Sequence, residues 1–440
     1  MNIRLHVMRA LASATVLTSM TIAACHGALD VSDPTLIRDT DIANANGANA
    51  RRLNVSSTLN QNAPSLASDV AYISDEWMYD GPLNEDYSTS SRVLLDRRDS
   101  PNYEIAAGTN DQHLGQWDQV YYQTSIAIPS VRAYTPDSLK GDFLAQLYAI
   151  RGYAALQIAE DICPGFPLND VSSDNRPLFS GPLTTDSAVA LASAQLDSAI
   201  KYVHDSTRFA TLARVAKGRA LLDQGKYAEA AAVVATVQTT DVYQTESPYN
   251  PMYVDPNSYC AGCTFTAVGN NEGGNGMPFV GAQDPRVPTQ FAGVANADTT
   301  DSLYAFTGYT PGPFAMTLAS GVEARLIEAE AAANLNDPNW LTILNTLRSG
   351  VGLPALADPG TMAAQIDLVY RERAFWLYLT GRRLGDLRRL IKNYGRAPDA
   401  VFPAGPYRLG GSYGSATSIP FILAAEKQSN SKITSGCTSR

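Results

Sequence analysis

Five carboxylates between residues 75 and 86 form the group of side chains best suited to acid–base chemistry. They are Asp75, Glu76, Asp80, Glu85 and Asp86. Glycoside hydrolysis uses two carboxyl groups roughly 5 to 9.5 Å apart, one as the acid and the other as the base or nucleophile. Acidic loops are also commonly no more than solvated surface. Spacing along the chain does not give the separation in space, so it cannot decide between the two interpretations.

Motifs of better-defined catalytic sites do not accompany these carboxylates. The sequence has no HExxH zinc motif, no phosphate-binding Walker loop and no dinucleotide fingerprint, and we expect no nucleophile elbow of GxSxG form. Zinc-dependent hydrolysis, nucleotide phosphate transfer and dinucleotide-dependent redox chemistry are therefore not the first interpretation of this sequence. We predict a protein that is not an enzyme and that uses neither a cofactor nor a metal.

A second group of charged side chains lies inside an apolar and aromatic run between Met362 and Tyr394. Its members are Arg371, Glu372, Arg382, Arg383 and Asp386. An arginine cluster can hold a phosphate group. Burying these charges singly would be costly, however, and the two acids lie close enough in sequence to neutralise the arginines. We therefore predict buried and paired salt bridges in this run.

The first 24 residues have the composition of a lipoprotein signal peptide. A basic start is followed by an apolar stretch shorter than the roughly 20 residues that a bilayer crossing needs. Ile22-Ala23-Ala24-Cys25 ends that stretch as a lipobox. Cys25 is therefore predicted to carry a diacylglycerol, and two acyl chains suffice for stable attachment to a membrane. The alternative is an ordinary signal peptide with a chance cysteine.

The other cysteines are Cys163, Cys260, Cys263 and Cys437. An even number in an exported protein favours disulfides. We favour the pairs Cys260–Cys263 and Cys163–Cys437, which is one of three possible connectivities. A zinc site is disfavoured because the four histidines lie far away in sequence. A redox role is disfavoured because Cys260 and Cys263 lie in a loop that enters a predicted strand and not at a helix start.

Composition and charge describe a large, acidic, globular chain. The sequence has 440 residues, of which 45% are hydrophobic and 17% charged, and its formal net charge is −10. A chain of this length can bury one large core or two closely packed lobes. Lysine and arginine form no long basic run, so nucleic acid is not an expected partner.

Helical periodicity predicts the elements that must position these groups. Apolar residues recur at helical intervals in the segments 51–78, 117–133, 142–161 and 187–203. Residues 208–237 have the packing pattern of a tetratricopeptide helix pair, with Gly218 and Ala230 at the close approach. A second pair is predicted at 322–335 and 339–347. The fold should be mainly α and built from irregular helix pairs.

Two long segments lack this periodicity. Residues 79–109 are rich in turn formers and predict a long ordered loop, which in a compact domain is usually functional. Residues 242–313 contain many glycines, prolines and aromatics. Because so many aromatic rings need burial or a ligand, this segment is predicted to fold over the helices as a loop-rich excursion. It is a candidate binding face.

Five motifs in the expected order resemble the SusD/RagB family. They are the lipobox followed by Leu29-Asp30-Val31, Trp117-x-x-Val-Tyr121, the helix through Arg151-Gly-Tyr-Ala-Ala-Leu into Gly165-Phe-Pro-Leu, the block from Arg371-Glu-Arg-Ala-Phe-Trp to Gly381-Arg-Arg-Leu-Gly-Asp-Leu-Arg-Arg, and Ile419-Pro-Phe with Glu426 and Asn430. The resemblance spans nearly the whole chain after residue 24. The sequence departs from the family in having His26-Gly27-Ala28 in place of acids behind Cys25, and a cysteine in the turn at Cys163.

The resemblance implies a lipoprotein of the outer membrane, exposed at the cell surface and held by its lipid anchor only. Residues 25–205 would be an N-terminal SusD-like part, packed as one globular unit with a C-terminal RagB/SusD part at 206–440. Such a protein covers a SusC-type TonB-dependent transporter and delivers glycans or peptides to it. The alternative is a tetratricopeptide-like scaffold lipoprotein that binds a protein partner.

Binding without chemistry requires aromatic rings for sugar faces and polar groups for hydroxyls. Such side chains occur in both segments that lack helical periodicity. The candidates are Trp77, Tyr79, Asn84, Tyr87 and Arg92 between residues 75 and 102, and Tyr304, Phe306 and Tyr309 in the second segment. Each aromatic candidate can equally serve in core packing or in contact with a transporter.

Overall fold

The computed structural model describes residues 41–79, 91–107, 112–172, 176–203, 207–247, 266–294 and 302–438. Several features named above lie outside these residues. They are the signal segment 1–24, Cys25, Asp80, Asn84, Glu85, Asp86, Tyr87, Cys260 and Cys263. Among the described helices, none combines the length and the hydropathy needed to cross a membrane.

The N-terminal part consists of helices around one fully buried helix. These helices are α1 (Ala45–Ser74), α2 (Ser91–Asp96), α3 (Ser100–Ala107), α4 (Gln112–Tyr134), α5 (Asp137–Asp161) and α6 (Thr185–Tyr202). Helix α5 packs against α1, α4 and α6. Every residue of 149–161 is buried. A helix covered on all sides forms the centre of a core, and α5 has that position here.

Helix α1 differs from the predicted helix at both ends. It begins at Ala45, where the Asn44 side chain caps it by accepting a hydrogen bond from the Gly47 N–H at 3.0 Å. It ends at Ser74, and Trp77–Tyr79 continues as a strand. The prediction of helix through residue 78 is therefore wrong, because this short segment pairs with a strand far away in sequence.

The predicted loop at 79–109 also needs correction. Helices α2 and α3 lie within it, and Val93, Leu94 and Leu95 of α2 are all buried. A helix of six residues gives too short a stretch for periodicity to be recognised, since isolated helices of this length are unstable and depend on tertiary packing.

Two helix pairs confirm the solenoid-like prediction. The first is α7 (Thr207–Asp223) with α8 (Tyr227–Val234), and the second is α9 (Gly321–Asn334) with α10 (Asn339–Ser349). Gly218 allows the close approach in the first pair, because a Cβ there would lie 2.7 Å from the Val234 side chain. Helix α9 packs against both α8 and α10, which joins the pairs. The fold is mainly α, as predicted.

Strands are short and occur in antiparallel pairs. They are β1 (Trp77–Tyr79), β2 (Asp170–Val171), β3 (Pro177–Leu178), β4 (Val242–Gln244), β5 (Thr266–Val268), β6 (Thr289–Val294), β7 (Ser302–Phe306) and β8 (Thr317–Ser320). The pairs are β1–β5, β2–β3, β4–β8 and β6–β7. The described parts of 242–313 contain strands, turns and one 3₁₀ turn at Glu272–Gly274, without an α-helix. The predicted excursion is thus present.

The C-terminal part returns to the N-terminal helices. Its helices are α11 (Met362–Trp376), α12 (Arg383–Tyr394), α13 (Pro398–Val401) and α14 (Leu423–Ser429). Ile419 forms a parallel bridge with Ile162, and a disulfide joins Cys163 to Cys437. The main hydrophobic cluster is continuous through the helices of both parts.

Candidate functional site

A cavity of about 900 Å³ opens on the excursion. Its lining comes from β1, the turns after β5, the β6–β7 hairpin and residues 406–413. Most lining side chains are polar, including Asn270, Asn271, Glu272, Gln283, Arg408 and Tyr413. A cavity of this size and polarity suits a small ligand that has many hydrogen-bonding groups.

Two strand pairs build the walls of this cavity. In the β1–β5 pair, Trp77 lies opposite Val268, and Met78 lies opposite Ala267. Met78 and Ala267 pack with Leu303 of β7 in a small apolar cluster beneath the β6–β7 hairpin. The cavity therefore forms only when segments distant in sequence come together, which explains why it is invisible in the sequence.

The β6–β7 hairpin places an aromatic pair beside the cavity. Phe291 lies directly opposite Tyr304, and their ring centroids are 5.8 Å apart in an edge-to-face arrangement. Tyr304 lines the cavity. Phe291 is 54% exposed, the largest exposed fraction among the exposed large hydrophobic side chains of the described chain. An exposed aromatic ring beside a polar cavity is a candidate ligand contact.

A tight turn at 271–276 fixes the polar edge of the cavity. Asn271 and Gly273 have φ values of +60° and +62°. A Cβ on Gly273 would lie 2.3 Å from the Ala404 nitrogen, so only glycine permits this contact. The Asn275 side-chain amide donates to the carbonyls of Asp399 and Phe402 at 2.9 and 2.8 Å. The turn is thereby held against the C-terminal part.

Two carboxyl groups lie at this edge. Glu272 accepts a hydrogen bond from the Tyr413 hydroxyl at 3.0 Å. Asp96, behind it, accepts from the Tyr79 N–H and the Tyr407 hydroxyl, both at 2.8 Å. Burial raises the pKa of Asp96 to about 7, and the negative charge of Glu272 adds to the rise, while Arg408 opposes it. The Asp96 carboxyl is therefore only partly ionised near neutral pH.

The predicted ligand-binding residues do not form one group. Tyr304 lines the cavity, whereas Phe306 packs against Tyr309 and Tyr378, with ring centroids 5.0 and 5.1 Å away. Arg92 is exposed and does not line the cavity. Its role as a ligand contact stays a prediction, as does that of Asn84 and Tyr87, which lie outside the described residues.

Trp77 and Tyr79 require a correction. Trp77 is 5% exposed and Tyr79 is 1% exposed, because both belong to β1 and pack into the core. Trp77 makes an edge-to-face contact with Tyr72 at 5.6 Å. Neither ring presents a face to a ligand in this structure, so the prediction that they form a sugar-stacking platform is wrong here.

The two described acids of the carboxylate group have structural positions. Asp75 is 1% exposed and makes a bidentate ion pair with Arg383, at 2.8 and 2.9 Å. Glu76 is fully buried and accepts from the Leu379 N–H at 2.8 Å. Burial raises the pKa of Glu76 to about 8. Neither carboxyl group can reach a substrate in the cavity, which argues against this pair as a hydrolytic centre.

The expectation that no GxSxG form is present is wrong at the level of sequence, because the pattern occurs at Gly410-Gly411-Ser412-Tyr413-Gly414. A nucleophile elbow requires a strand, a sharp turn and a helix around the serine. Here Ser412 is exposed and bridges to Pro406 within an irregular turn, and no helix follows it. The pattern therefore lacks the structure that would activate its serine.

The charged run at 362–394 is paired, but mostly with partners from other elements. Arg382 lies 3.3 Å from Glu323, and Glu372 binds Arg286 and Arg348 at 2.6 and 2.7 Å. The prediction of a buried ion pair is wrong for Arg371, because its side chain is 40% exposed, although it lies 3.5 Å from Glu372. The other charges are buried and paired as predicted, and buried pairing within the run itself joins Asp386 to Arg373 and Arg389.

Four residues of this run and Glu330 of α9 form what is called here the buried charge network, which consists of Glu330, Tyr370, Arg373, Asp386 and Arg389. Arg389 donates to both Glu330 oxygens at 2.9 and 3.0 Å and to Asp386 at 2.8 Å. Arg373 makes two bonds of 2.8 Å to Asp386, and the Tyr370 hydroxyl donates to Glu330 at 2.8 Å. Two arginines and two carboxylates thus balance in charge within the core, where a phosphate cannot enter, and Arg373 Nη1 is the network atom left without a hydrogen-bond partner among the described residues.

His113 is buried between two carboxylates. Its ring nitrogens lie 3.1 Å from Asp69 and 3.2 Å from Asp161. Burial opposes protonation, but the hydrogen bonds to Asp161 and Asp69 outweigh it and raise the pKa of His113 to about 9. The imidazolium thus ties α1, α4 and α5 together. Within the described chain, no group of three or more His, Cys, Asp or Glu could hold a metal ion.

A second, smaller cavity of about 420 Å³ lies between α9, α10 and α11. Apolar side chains dominate its lining, among them Val322, Ile343 and Leu347, together with the indole of Trp376. It contains one ion pair, between Arg325 and Glu328 at 2.9 Å. This cavity belongs to the second helix pair and not to the excursion.

Sequence reasoning missed Phe291, Glu272, Arg408 and Tyr413 at the first cavity. Phe291 could have been found, because it lies in the aromatic segment singled out as a binding face. Glu272 and Arg408 had no such signal, since more than a hundred residues separate them.

Comparison with known proteins identifies the fold. No family model matches the sequence, and no curated protein matches it. Solved structures match over most of the chain. A laminarin-binding SusD-like protein is 15% identical, with 90% of this chain and 100% of that chain covered and a TM-score of 0.65. A SusD superfamily protein from Bacteroides vulgatus is 14% identical, with coverages of 89% and 98% and a TM-score of 0.64.

A third match is a complex with a bound sugar. Surface glycan-binding protein A from Bacteroides thetaiotaomicron, solved with laminarihexaose, is 14% identical. The match covers 89% of this chain and 99% of that chain, with a TM-score of 0.62. The chain therefore has the fold of SusD-like proteins, and the fold part of the predicted resemblance is confirmed.

Proposed function

We propose that this chain is a nutrient-binding lipoprotein of the outer membrane. It captures a glycan in the cavity on the excursion and delivers it to a SusC-type TonB-dependent transporter. The observation that carries the proposal is a polar cavity of about 900 Å³ in a fold shared with glycan-binding proteins. Peptide is the second nutrient class to be tested.

The residues of the cavity support binding and not catalysis. Tyr304 offers a ring beside the cavity, and amide, hydroxyl and guanidinium groups surround it. Glu272 is held by Tyr413, and Asp96 is buried behind it. We find no nucleophile with an activating base among the described residues that line the cavity. Delivery also requires release, which favours moderate affinity.

Membrane attachment rests on the lipobox at Cys25. Mass spectrometry of the protein purified from membranes should find a diacylated cysteine at the N-terminus. Cys25→Ala should release the protein into the soluble fraction while its glycan affinity stays unchanged, because the anchor is separate from the cavity. A soluble wild-type protein with an unmodified N-terminus would contradict the proposed localisation.

Calorimetric titration of the protein without its lipid, across panels of oligosaccharides and peptides, tests the function directly. We expect at least one oligosaccharide to bind, and we expect a TonB-dependent transporter to co-purify with the lipidated protein. Reducing ends released from an oligosaccharide would instead indicate a hydrolase.

A scaffold that binds a protein partner is the second candidate. The apolar cavity between α9, α10 and α11 favours it, since apolar concave surfaces on helix pairs receive partner side chains. Absence of binding to every glycan and peptide, together with co-purification of a partner other than a TonB-dependent transporter, would support the scaffold.

A further inference from the structure

We infer that the cavity on the excursion takes an uncharged oligosaccharide, and that Phe291 provides the face against which one sugar ring lies. The inference rests on the proposed function, because it names the class of glycan at the same cavity. It is carried by the charges around the cavity and by the geometry of the β6–β7 hairpin.

The charges of the described residues that line the cavity leave no positive charge in excess. Among the described lining residues, Glu272 is the acid and Arg408 is the base. Arg408 also lies close enough to Asp96 to stabilise its carboxylate. With Asp96 neutral, Glu272 balances Arg408, and with Asp96 ionised the cluster is negative. In both states a ligand carboxylate or sulfate would meet no unbalanced cation.

Charge outside the lining does not reverse this balance. Arg98 keeps its positive charge, but it is buried, donates to the carbonyls of Ala416 and Pro403 at 2.7 and 2.5 Å and lies 3.9 Å from Asp399, so a ligand cannot contact it. The whole chain has a formal net charge of −10. A net negative protein repels an anionic ligand during approach as well as in the bound state.

The remaining lining groups match hydroxyls. Asn271 and Gln283 each offer both donors and acceptors, and Thr289 and Ser302 add hydroxyl groups on the β6–β7 hairpin. A sugar hydroxyl likewise both donates and accepts. A ligand with many hydroxyls and no charge therefore uses this lining fully.

Phe291 has a fixed position at the rim. As the cross-strand neighbour of Tyr304, it lies on the same face of the hairpin as that cavity residue. The two rings meet edge to face, at an interplanar angle of 74°, and this contact holds the Phe291 ring in place. About half of the Phe291 side chain still faces solvent. Sugar rings have an apolar face of C–H groups, which packs against such a ring.

The test compares neutral and uronic-acid-containing oligosaccharides of equal length by calorimetric titration of the protein without its lipid. We expect the neutral series to bind at least about tenfold more tightly, a difference of ~1.4 kcal/mol. Glu272→Gln keeps an acceptor for the Tyr413 hydroxyl but removes the negative charge that balances Arg408. It should therefore reduce the preference for neutral ligands by about tenfold.

The aromatic contact has its own matched pair of variants. Phe291→Ala should weaken neutral binding by about tenfold, as expected for an exposed aromatic anchor. Phe179→Ala is the control, because Phe179 is 36% exposed and does not line the cavity. It should leave the affinity unchanged, and thermal melts should show both variants folded.

The outcomes separate the inference from the proposed function. Tighter binding of acidic oligosaccharides would overturn the inference and leave glycan capture standing. Equal affinities of Phe291→Ala and the wild type would overturn the role of Phe291. Failure of every oligosaccharide to bind, while peptides bind, would overturn glycan capture itself.

Discussion

The buried charge network and the cavity on the excursion contain the same residue types in different surroundings. Both combine arginine, carboxylate and tyrosine side chains. In the network, Glu330 and Arg373 are 0% exposed and every carboxylate oxygen of Glu330 has a partner. At the cavity, Glu272 is also mostly buried, at 8% exposed, but it and Arg408 line open space of about 900 Å³. The difference shows that contact with open space, and not composition, separates a structural cluster from a binding site.

The largest expected effect comes from removing one charge of the network. Glu330→Gln preserves shape but removes the negative charge that receives two hydrogen bonds from Arg389, which should lower the free energy of unfolding by roughly 3–5 kcal/mol. The matched variant is Glu328→Gln on the same helix. Its partner Arg325 is partly exposed, so the loss should be about 1 kcal/mol or less.

Chemical denaturation of the two variants measures this contrast. Similar losses for Glu330→Gln and Glu328→Gln would mean that enclosure contributes little to the energy of the network. That result would contradict the proposed energetic difference between buried and open charge clusters.

His113 tests enclosure through pH. Its pKa of about 9 in the folded state lies above the ordinary value of 6.5, so its contribution is complete below pH 6.5 and is lost as pH rises to 9. The loss should be roughly 3 kcal/mol. Unfolding free energies measured from pH 6 to 10 should show this fall in the wild type.

The control for His113 is the variant His113→Gln, in which that part of the pH dependence should vanish. The buried acid Glu76 also has a pKa raised to about 8 in the folded state, so its contribution to the free energy of unfolding likewise falls as pH rises. Only the difference between wild type and His113→Gln therefore reports the histidine. Parallel pH profiles for the two proteins would contradict the imidazolium assignment.

The smallest expected effect compares one substitution in both regions. Tyr370→Phe removes a hydroxyl that donates to Glu330 in the network, and the loss should be roughly 1.5–3 kcal/mol. Tyr413→Phe removes a hydroxyl that donates to Glu272 at the cavity. Water can replace that donor, so the loss should be about 1 kcal/mol or less.

Thermal and chemical denaturation of both tyrosine variants give the measurement. A larger cost for Tyr413→Phe than for Tyr370→Phe would contradict the comparison. It would mean that the cavity gives water no access to Glu272, which is 8% exposed.

Much of the helical fold could be predicted from sequence because it depends on local periodicity. The stop of α5 at Asp161, before Cys163-Pro-Gly, and the pair α7–α8 follow from nearby residues. Strand β1 could not be predicted, since Trp77 pairs with Val268. Its three apolar residues follow a helix directly and continue the helical pattern.

The candidate site was predicted less well, for the same physical reason. The excursion was recognised as a binding face from its aromatics, and Tyr304 lines the cavity. Which aromatic rings are exposed depends on tertiary contacts, so the sequence neither reveals that Trp77 is buried nor distinguishes Phe291 from the other aromatic rings of its segment. The partners of Arg382 and Arg383 are Glu323 and Asp75, from other elements, and a search within the run could not find them.

The two cysteines of the Cys163–Cys437 disulfide are synthesised at different times in a newly made chain. They are separated by 274 residues. At a synthesis rate of about 5–20 residues per second, Cys163 exists for roughly 15 to 55 s before Cys437 has been made. During that interval its thiol is available to other oxidants and to other cysteines. Correct maturation therefore depends on keeping an early thiol reduced until a late one arrives.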